Sequence, residues 1–380
     1  MRRELEFEAP RAVRLVEFTQ TLHLGGTEVQ LVELMRSLPS HYTTRLSVVR
    51  AQGPLLETLR EMGIIPEEFP MVGSVMRFQT LLQVAKLAVW LRYHRIELVH
   101  AHDFYSSILA VPAARLAGAK VIVGRLDLAH WHNRTQRAVL TQLTRAADHV
   151  VVNAEAIRAQ LEREEHLPHG RITLIHNGLD LARFDARMAL PLEGPLPETH
   201  GEPVIVHVAN MNHPVKRQED LLEALATLHA RGLPAHVFFV GGGPRKAAME
   251  ALAVRLDLQG SAHFLGHRMD VPALYARADV GVLCSYAEGL SNAVMEGLAA
   301  SLPMVVTRVG GNPDLVQDGI SGRLVEPRSP MQLAAALEDV LKAKARGKKM
   351  GAAGRAFVHQ NLTLAQMVRK HDELYQRVLA

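Results

Sequence analysis

The sequence holds one cysteine, Cys284, in 380 residues, so no intrachain disulfide can form. That scarcity fits a reducing compartment. Long apolar runs are also missing. Nothing approaches the roughly 18 uncharged apolar residues of a spanning helix, and the longest stretch, Leu81 to Leu91, is broken by Gln83 and Lys86. The opening residues MRRELEFEAPR lack the apolar segment of a signal peptide. No charge dominates either: 43 Lys and Arg stand against 39 Asp and Glu, a net charge of +4. With no RNP, zinc-finger or basic-helix pattern, nucleic acid is not an expected partner. These absences together predict a soluble cytoplasmic protein.

What is present is alternation. At this length two domains are the default. Apolar runs of strand length (Val13–Thr19, Ile96–Ala101, Val121–Gly124, His149–Asn153, Val204–Ala209, Ala235–Val240, Val280–Cys284) alternate with segments of helical period. Such alternation predicts α/β architecture: parallel, doubly wound Rossmann-like sheets with helices on both faces. Residues 189–203 carry four prolines and two glycines without periodicity, which marks a linker. The expected organisation is an N-terminal domain over 1–185, a linker over 186–203, a C-terminal domain over 204–358 and a final helix over 359–380. In open sheets of this kind ligands gather beyond the carboxyl ends of the strands, and the polar loops lie there.

Several loops stand out. Gly25 and Gly26 precede a helix that Thr27 and Gln30 would open as a capping box. The segment 76–93 pairs apolar Phe78, Leu81, Leu82, Ala85, Ala88 and Leu91 with basic Arg77, Lys86 and Arg92. A helix packed on a sheet is the simpler reading, and a face resting on an anionic membrane is the alternative. His100 and His102 share one strand face, and His130 and His132 follow. No known zinc spacing accompanies them, so polar loop histidines are expected rather than a metal site.

Glu296 is the most informative single residue. Its neighbours Ala293, Val294, Met295, Gly297, Leu298, Ala299 and Ala300 are all apolar. A carboxylate on such a helix is costly unless something donates hydrogen bonds to it. No Lys or Arg lies within a turn, so the sequence calls for a distant side chain or a polar ligand.

The stretch from Glu288 to Glu296, EGLSNAVME, resembles the paired-glutamate motif of retaining glycosyltransferases of family 4. Gly25-Gly26-Thr27-Glu28, Val99-His100-Ala101-His102, Ile175-His176-Asn177-Gly178, Val240-Gly241-Gly242-Gly243-Pro244 and Val309-Gly310-Gly311 fit that family in order. The resemblance covers essentially the whole chain. It implies the GT-B fold, two Rossmann-like domains facing each other across a cleft, with the final helix returning to the N-terminal domain. It implies a nucleoside-diphosphate sugar as co-substrate, a saccharide or lipid-linked acceptor, and transfer of a hexose without a metal or other cofactor, in polysaccharide or glycolipid assembly.

Residue by residue, the resemblance gives donor diphosphate to Leu290, Ser291 and Asn292, ribose hydroxyls to Glu296, sugar hydroxyls to Glu288, and the leaving diphosphate to Lys216. Gly266 to Arg268 would lie near the base, and Gly26 and Asn210 would also face the donor. Asn210 stands where family members often carry an Arg, so one diphosphate contact is either lost or supplied by Arg217 or Arg125. Asp127 or His102 would do the work of a family histidine absent from the Arg125–Asp127 region. Gly25, His102, Arg125 and His130 are expected around the acceptor, and peripheral membrane contact is left open. Two carboxylates also suit a glycosidase, but a phosphate-type helix start beside Lys216 argues against one. Another GT-B chemistry (an epimerase or phosphorylase) and a non-catalytic nucleotide-sugar-binding protein are the remaining alternatives.

Overall fold

A computed structural model describes residues 11–71 and 78–380. The MRRELEFEAP opening and the start of the 76–93 helix, with Arg77, lie outside them. The chain divides into two compact units.

Unit 1 runs to Val152 and adds Arg158–Ile175 and Met367–Ala380. Its strands are β1 (Val13–Thr19), β2 (Tyr42–Val48), β3 (Glu67–Glu68), β4 (Leu98–Ala101), β5 (Lys120–Arg125), β6 (His149–Val152) and β7 (Ile172–Leu174). They pair in the order β3-β2-β1-β4-β5-β6-β7, every pair parallel. The intervening helices are α1 (Gly26–Ser37), α2 (Leu55–Glu61), α3 (Phe78–Tyr93), α4 (Phe104–Ala117), α5 (Arg134–Ala146) and α6 (Glu155–Glu164). Strand order reverses between β1 and β4, so the loops after Thr19 and Ala101 flank the switch point where such sheets bind ligands.

Unit 2 comprises 153–157 and 176–366. It begins with α7 (Leu181–Met188) and carries β8 (Val204–Val208), β9 (His236–Val240), β10 (Ala262–Gly266), β11 (Val280–Leu283), β12 (Met304–Thr307) and β13 (Gly322–Val325). All pairs are parallel, in the order β10-β9-β8-β11-β12-β13. Its remaining helices are α8 (Gln218–Ala230), α9 (Lys246–Arg255), α10 (Val271–Tyr275), α11 (Asn292–Ala299), α12 (Asn312–Leu315), α13 (Pro330–Lys342) and α14 (Lys344–Asn361). The switch point lies between β8 and β11. The inner strands β8, β9, β11 and β12 are buried on both faces, as a parallel sheet requires, while the edge strands β10 and β13 are partly exposed.

Three local expectations change. The units part near residue 176, not in the proline-rich stretch, because α7 packs against α10 and so clusters with unit 2. The last helix, α15 (Leu364–Leu379), belongs to unit 1 from Met367 rather than from 359. The capping box at Thr27 does not form: Gly25 is the N-cap of α1 and makes no side-chain bond.

Helix α3 also differs. Thr80, Val84, Leu87, Ala88 and Leu91 are its buried side, while Phe78, Leu81, Leu82, Val89 and Tyr93 face outward. The helix is apolar on both sides, so periodicity alone could not choose its core face.

Candidate active site

In unit 2 the loops after β8 and β11 are stitched together. Tyr286 N–H donates to Val215 O, and the Cys284 thiol donates to Lys216 O and Arg217 O. Burial pushes that thiol far up, so Cys284 is a structural tie and not a nucleophile. The stitch brings two side chains distant in sequence into contact: Lys216 Nζ lies 2.6 Å from Glu288 Oε1. Neither is fully withdrawn from solvent, Lys216 being 27% and Glu288 10% exposed.

The glycine pair after β12 holds the Glu288 loop. Gly311 N–H donates to Gly289 O. Gly310 has φ +51°, and a Cβ there would meet Glu288 O at 1.9 Å. Only a residue without a side chain fits. Glycines 241 and 243 serve the same end beneath the β8 loop, where a Cβ would strike Ala209 or Met211 backbone.

Helix α11 starts beside this loop. Ser291 is its N-cap, its hydroxyl accepting from Val294 N–H. Asn177, from the Ile175–Asp180 motif, donates its side-chain amide to Asn292 Oδ1 at 2.7 Å. The N–H groups and the helix dipole at this end suit an anion. One turn on, Glu296 is half-buried, and burial pushes its carboxyl up to about 7, with Arg187 pulling weakly the other way. No side-chain hydrogen bond reaches its carboxylate among the described residues. The donor that its apolar surroundings call for is thus not supplied by unit 2 itself.

Three basic residues expected at the site are paired with acids. Arg217 pairs with Asp220 and with Glu219 on its own helix α8. The backbone oxygen of Asn210, before it in the same loop, accepts from Gln218. Arg125 is 4% exposed and donates to Thr144 Oγ1 and Glu165 Oε1. Its guanidinium is thus engaged within unit 1, although the residue lines a pocket there. Arg268 grips Asp270 through two bonds, although Gly266 beside it holds the β9–β10 ends together through Gly241 N–H.

In unit 1 the residues after β1, β4 and β5 converge on a pocket of about 230 Å³. Gln20, Thr27, His102, Asp103, Tyr105, Asp127, Trp131 and His132 are among those that line it. Asp103 caps α4 and accepts from Thr19 and Gln20. Asp127 accepts from Ala129 N–H and from Trp131 Nε1–H. His102 Nε2 lies 2.5 Å from Oε2 of the buried Glu17 on β1, whose other oxygen accepts from Tyr375 of α15. His100 sits behind, its Nδ1 2.7 Å from the same tyrosine hydroxyl. Ligand atoms of Glu17, His100 and His102 all lie within 4.8 Å of one another. This compact cluster is bonded internally, and Glu17 was not visible as a partner from sequence.

Of the expected acceptor residues, His102 and Arg125 line the pocket; Gly25 and His130 do not. His130 instead lies against Trp131, with ring centroids 3.5 Å apart and planes tilted by 44°. His132, expected as a polar loop histidine, does line the pocket; Trp131 and Tyr105 line it too and were not singled out residue by residue. The alternation His-Trp-His after a strand end was the available signal. Glu28, on the first turn of α1, was read only as part of a motif; burial raises its carboxyl to about 7, with Asp103 adding to the rise.

Comparison with known proteins bears on both units. Residues 24–183 match the family described as Glycosyltransferase Family 4, and residues 202–343 match Glycosyl transferases group 1. The GDP-mannose-dependent alpha-(1-6)-phosphatidylinositol monomannoside mannosyltransferase of Mycobacterium tuberculosis is 30% identical over 281 residues, covering 70% of this chain and 72% of that protein. The chain belongs to glycosyltransferase family 4. Another relative is the N-acetyl-alpha-D-glucosaminyl L-malate synthase of Bacillus anthracis, 27% identical over 227 residues. The match spans 59% of this family 4 chain and 59% of that enzyme. The crystal structure of Anabaena Alr3699/HepE in complex with UDP superposes with a TM-score of 0.83 at 20% identity, covering 96% of this chain and 100% of the other. The fold is therefore GT-B, as the motifs implied.

Proposed function

We propose that this family 4 protein transfers a hexose, with retention, from a nucleoside-diphosphate sugar to an acceptor hydroxyl in glycan or glycolipid assembly. The observation that carries the reading is unit 2's combination of a helix start suited to an anion, a carboxyl without a protein donor, and a Lys–Glu pair at the switch point. The names of the relatives agree with it: a GDP-mannose-dependent transferase, and a structure holding UDP.

The diphosphate binds at the N–H groups opening α11, and the ribose hydroxyls donate to Glu296. Lys216 turns to the leaving diphosphate as negative charge grows on it, so its cation favours the transition state over the ground state. Glu288, released from that lysine, accepts from hydroxyls of the transferred sugar. The leaving phosphate itself takes the acceptor proton, so no enzyme nucleophile is needed. In this reading Lys216 supplies the neutralising charge, and no metal ion is required. Transfer to a defined glycoside, followed by assignment of the product's anomeric configuration, tests the proposal. An inverted product, or nucleotide release with no glycoside formed, rejects it.

We also propose peripheral contact with a membrane. Helix α3 exposes Phe78, Leu81, Leu82, Val89 and Tyr93 beside Lys86 and Arg92, and contains no acidic residue. An apolar and basic face of this kind suits an anionic bilayer surface. No helix among the described residues is long and apolar enough to cross a membrane. Sedimentation with anionic and with neutral vesicles decides the point, equal partition into both counting against it.

A further inference from the structure

The pocket of unit 1 has a chemistry that narrows the acceptor. It offers aromatic surface, with Trp131 51% exposed and Tyr105 and Phe104 alongside. It offers a hydrogen-bonding imidazole: His132 Nδ1 is buried and meets no partner among the described residues. Beside its histidines it carries two carboxylates, Asp103 and Asp127, and, among the described residues, one Lys or Arg, Arg125. That guanidinium is buried and held by Glu165 and Thr144. Glu28 and Glu17 add further carboxyls beside or behind His102. His132 is kept neutral, its burial lowering the imidazole below the usual histidine range, with Arg125 and Arg137 also lowering it against Asp127. Arg137 does not line the pocket; it acts also on Glu164.

Resting on the proposed transferase reading, we infer that this pocket receives a neutral hexopyranose as acceptor and rejects phosphorylated or carboxylated ones. An anionic acceptor would lose water without gaining a cation and would face two carboxylates, a double penalty. A neutral sugar meets what the pocket provides: an aromatic plane for its C–H face, and hydroxyl partners at His132 and Asp127. The volume of about 230 Å³ accommodates one pyranose ring. Specificity here comes as much from repulsion as from attraction.

The test is saturation-transfer NMR on the full chain, with methyl hexopyranosides set against hexose 6-phosphates and hexuronates. Octyl hexopyranosides form a further arm, separating a lipid-linked sugar from a free glycan end. At least one neutral glycoside is expected to bind ten-fold or more tightly than its anionic counterparts. Trp131→Ala, a change at a half-exposed position, should cut that binding at least five-fold while the thermal midpoint stays within the wild-type range. His132→Gln, which keeps a hydrogen-bonding group, should cut it less than His132→Phe. Anionic sugars binding as well as neutral ones, or neutral binding indifferent to Trp131, would overturn the inference. These readings need no donor. Neutral glycosides bound at Trp131 in a protein that binds no nucleotide sugar would leave the pocket's chemistry standing and reject the transferase reading instead.

Discussion

Lys216 Nζ and Glu288 Oε1 lie 2.6 Å apart although 72 residues separate them in the chain. One belongs to the loop after β8 and the other to the loop after β11, the two strands flanking the switch point of unit 2. Each neutralises the other while no substrate is bound. A diphosphate arriving at α11 would compete for the lysine and free the carboxylate for sugar hydroxyls.

Removing the cation should therefore slow the chemical step more than it weakens binding. Lys216→Ala is expected to lower kcat by about 10²–10³, the cost typical of losing one charge-stabilising group, with a small change in donor KM. Steady-state kinetics at saturating acceptor checks this, and a rise in KM alone would assign Lys216 to ground-state binding.

Glu296 should act on affinity, and with a pH signature. Ribose hydroxyls donate to the ionised carboxylate, while burial holds the carboxyl at about 7 in the free protein. Donor affinity should then rise as pH increases through 7 and level off above 8, and Glu296→Gln should flatten that profile. The same shift has a stability consequence of opposite sense. The folded pKa exceeds the unfolded value, so the native state binds more protons between about 4.5 and 7, and stability falls as pH rises through that window. Glu296→Gln should raise the thermal midpoint at pH 8 even as it weakens the donor.

The histidines work the other way. His149, His207 and His371 are lowered to about 4, burial being the main cause in each. Arg377 and Arg171 also lower His149, and Lys216 lowers His207. His100, His132 and His263 are lowered as well, first by burial. Their unfolded forms bind protons from about 6.5 downward, so stability falls as pH drops from 6.5 toward 4. With His94, also lowered first by burial, these seven outnumber the raised Glu28, Asp103 and Glu296, and the net expectation is acid lability. Denaturant midpoints at pH 7 and pH 5 read it, and His207→Leu should reduce the difference.

Gly310 tests whether the turn really holds the Glu288 loop. An alanine there needs a left-handed backbone at φ +51° and a Cβ 1.9 Å from Glu288 O, so the loop must move. Gly310→Ala should lower stability by about 1–2 kcal/mol from the backbone alone and cut kcat at least ten-fold. Ala at Gly319, also left-handed but with open space around it, should cost stability without the loss of rate.

The buried network of unit 1 makes a stability prediction. Tyr375 donates to Glu17, and His100 lies within bonding distance of the same hydroxyl. Tyr375→Phe leaves a buried carboxylate short of a donor and should destabilise the protein by about 1–3 kcal/mol, measured by denaturant unfolding. A change below about 0.5 kcal/mol would mean that His102 alone suffices for Glu17.

Both sheets and the α11 motif were legible in the sequence, because continuous apolar runs and the charge pattern around Glu296 are local signals. Pairings were less so. Arg217 and Arg125 read as available charge and Arg268 as a neighbour of the base, yet each has an acid that holds it. For Arg217 and Arg268 that acid lies two or three residues away, at Asp220 and Asp270, and could have been noticed. For Arg125 it is Glu165, forty residues on, and only the fold reveals it. The unit boundary was misplaced because composition reports where a chain is unstructured. It does not report that α7, just before the prolines, packs onto α10. His102 looked like an open loop ligand because its partner Glu17 hides within an apolar strand.

The most direct test of the account is a thermal-shift panel of nucleoside-diphosphate sugars on the wild type and Glu296→Ala. A tight donor stabilises the folded state by mass action. The account predicts that at least one donor raises the wild-type midpoint clearly and that the same donor has little effect on Glu296→Ala. A panel with no shift, or a shift of equal size in the variant, would contradict it.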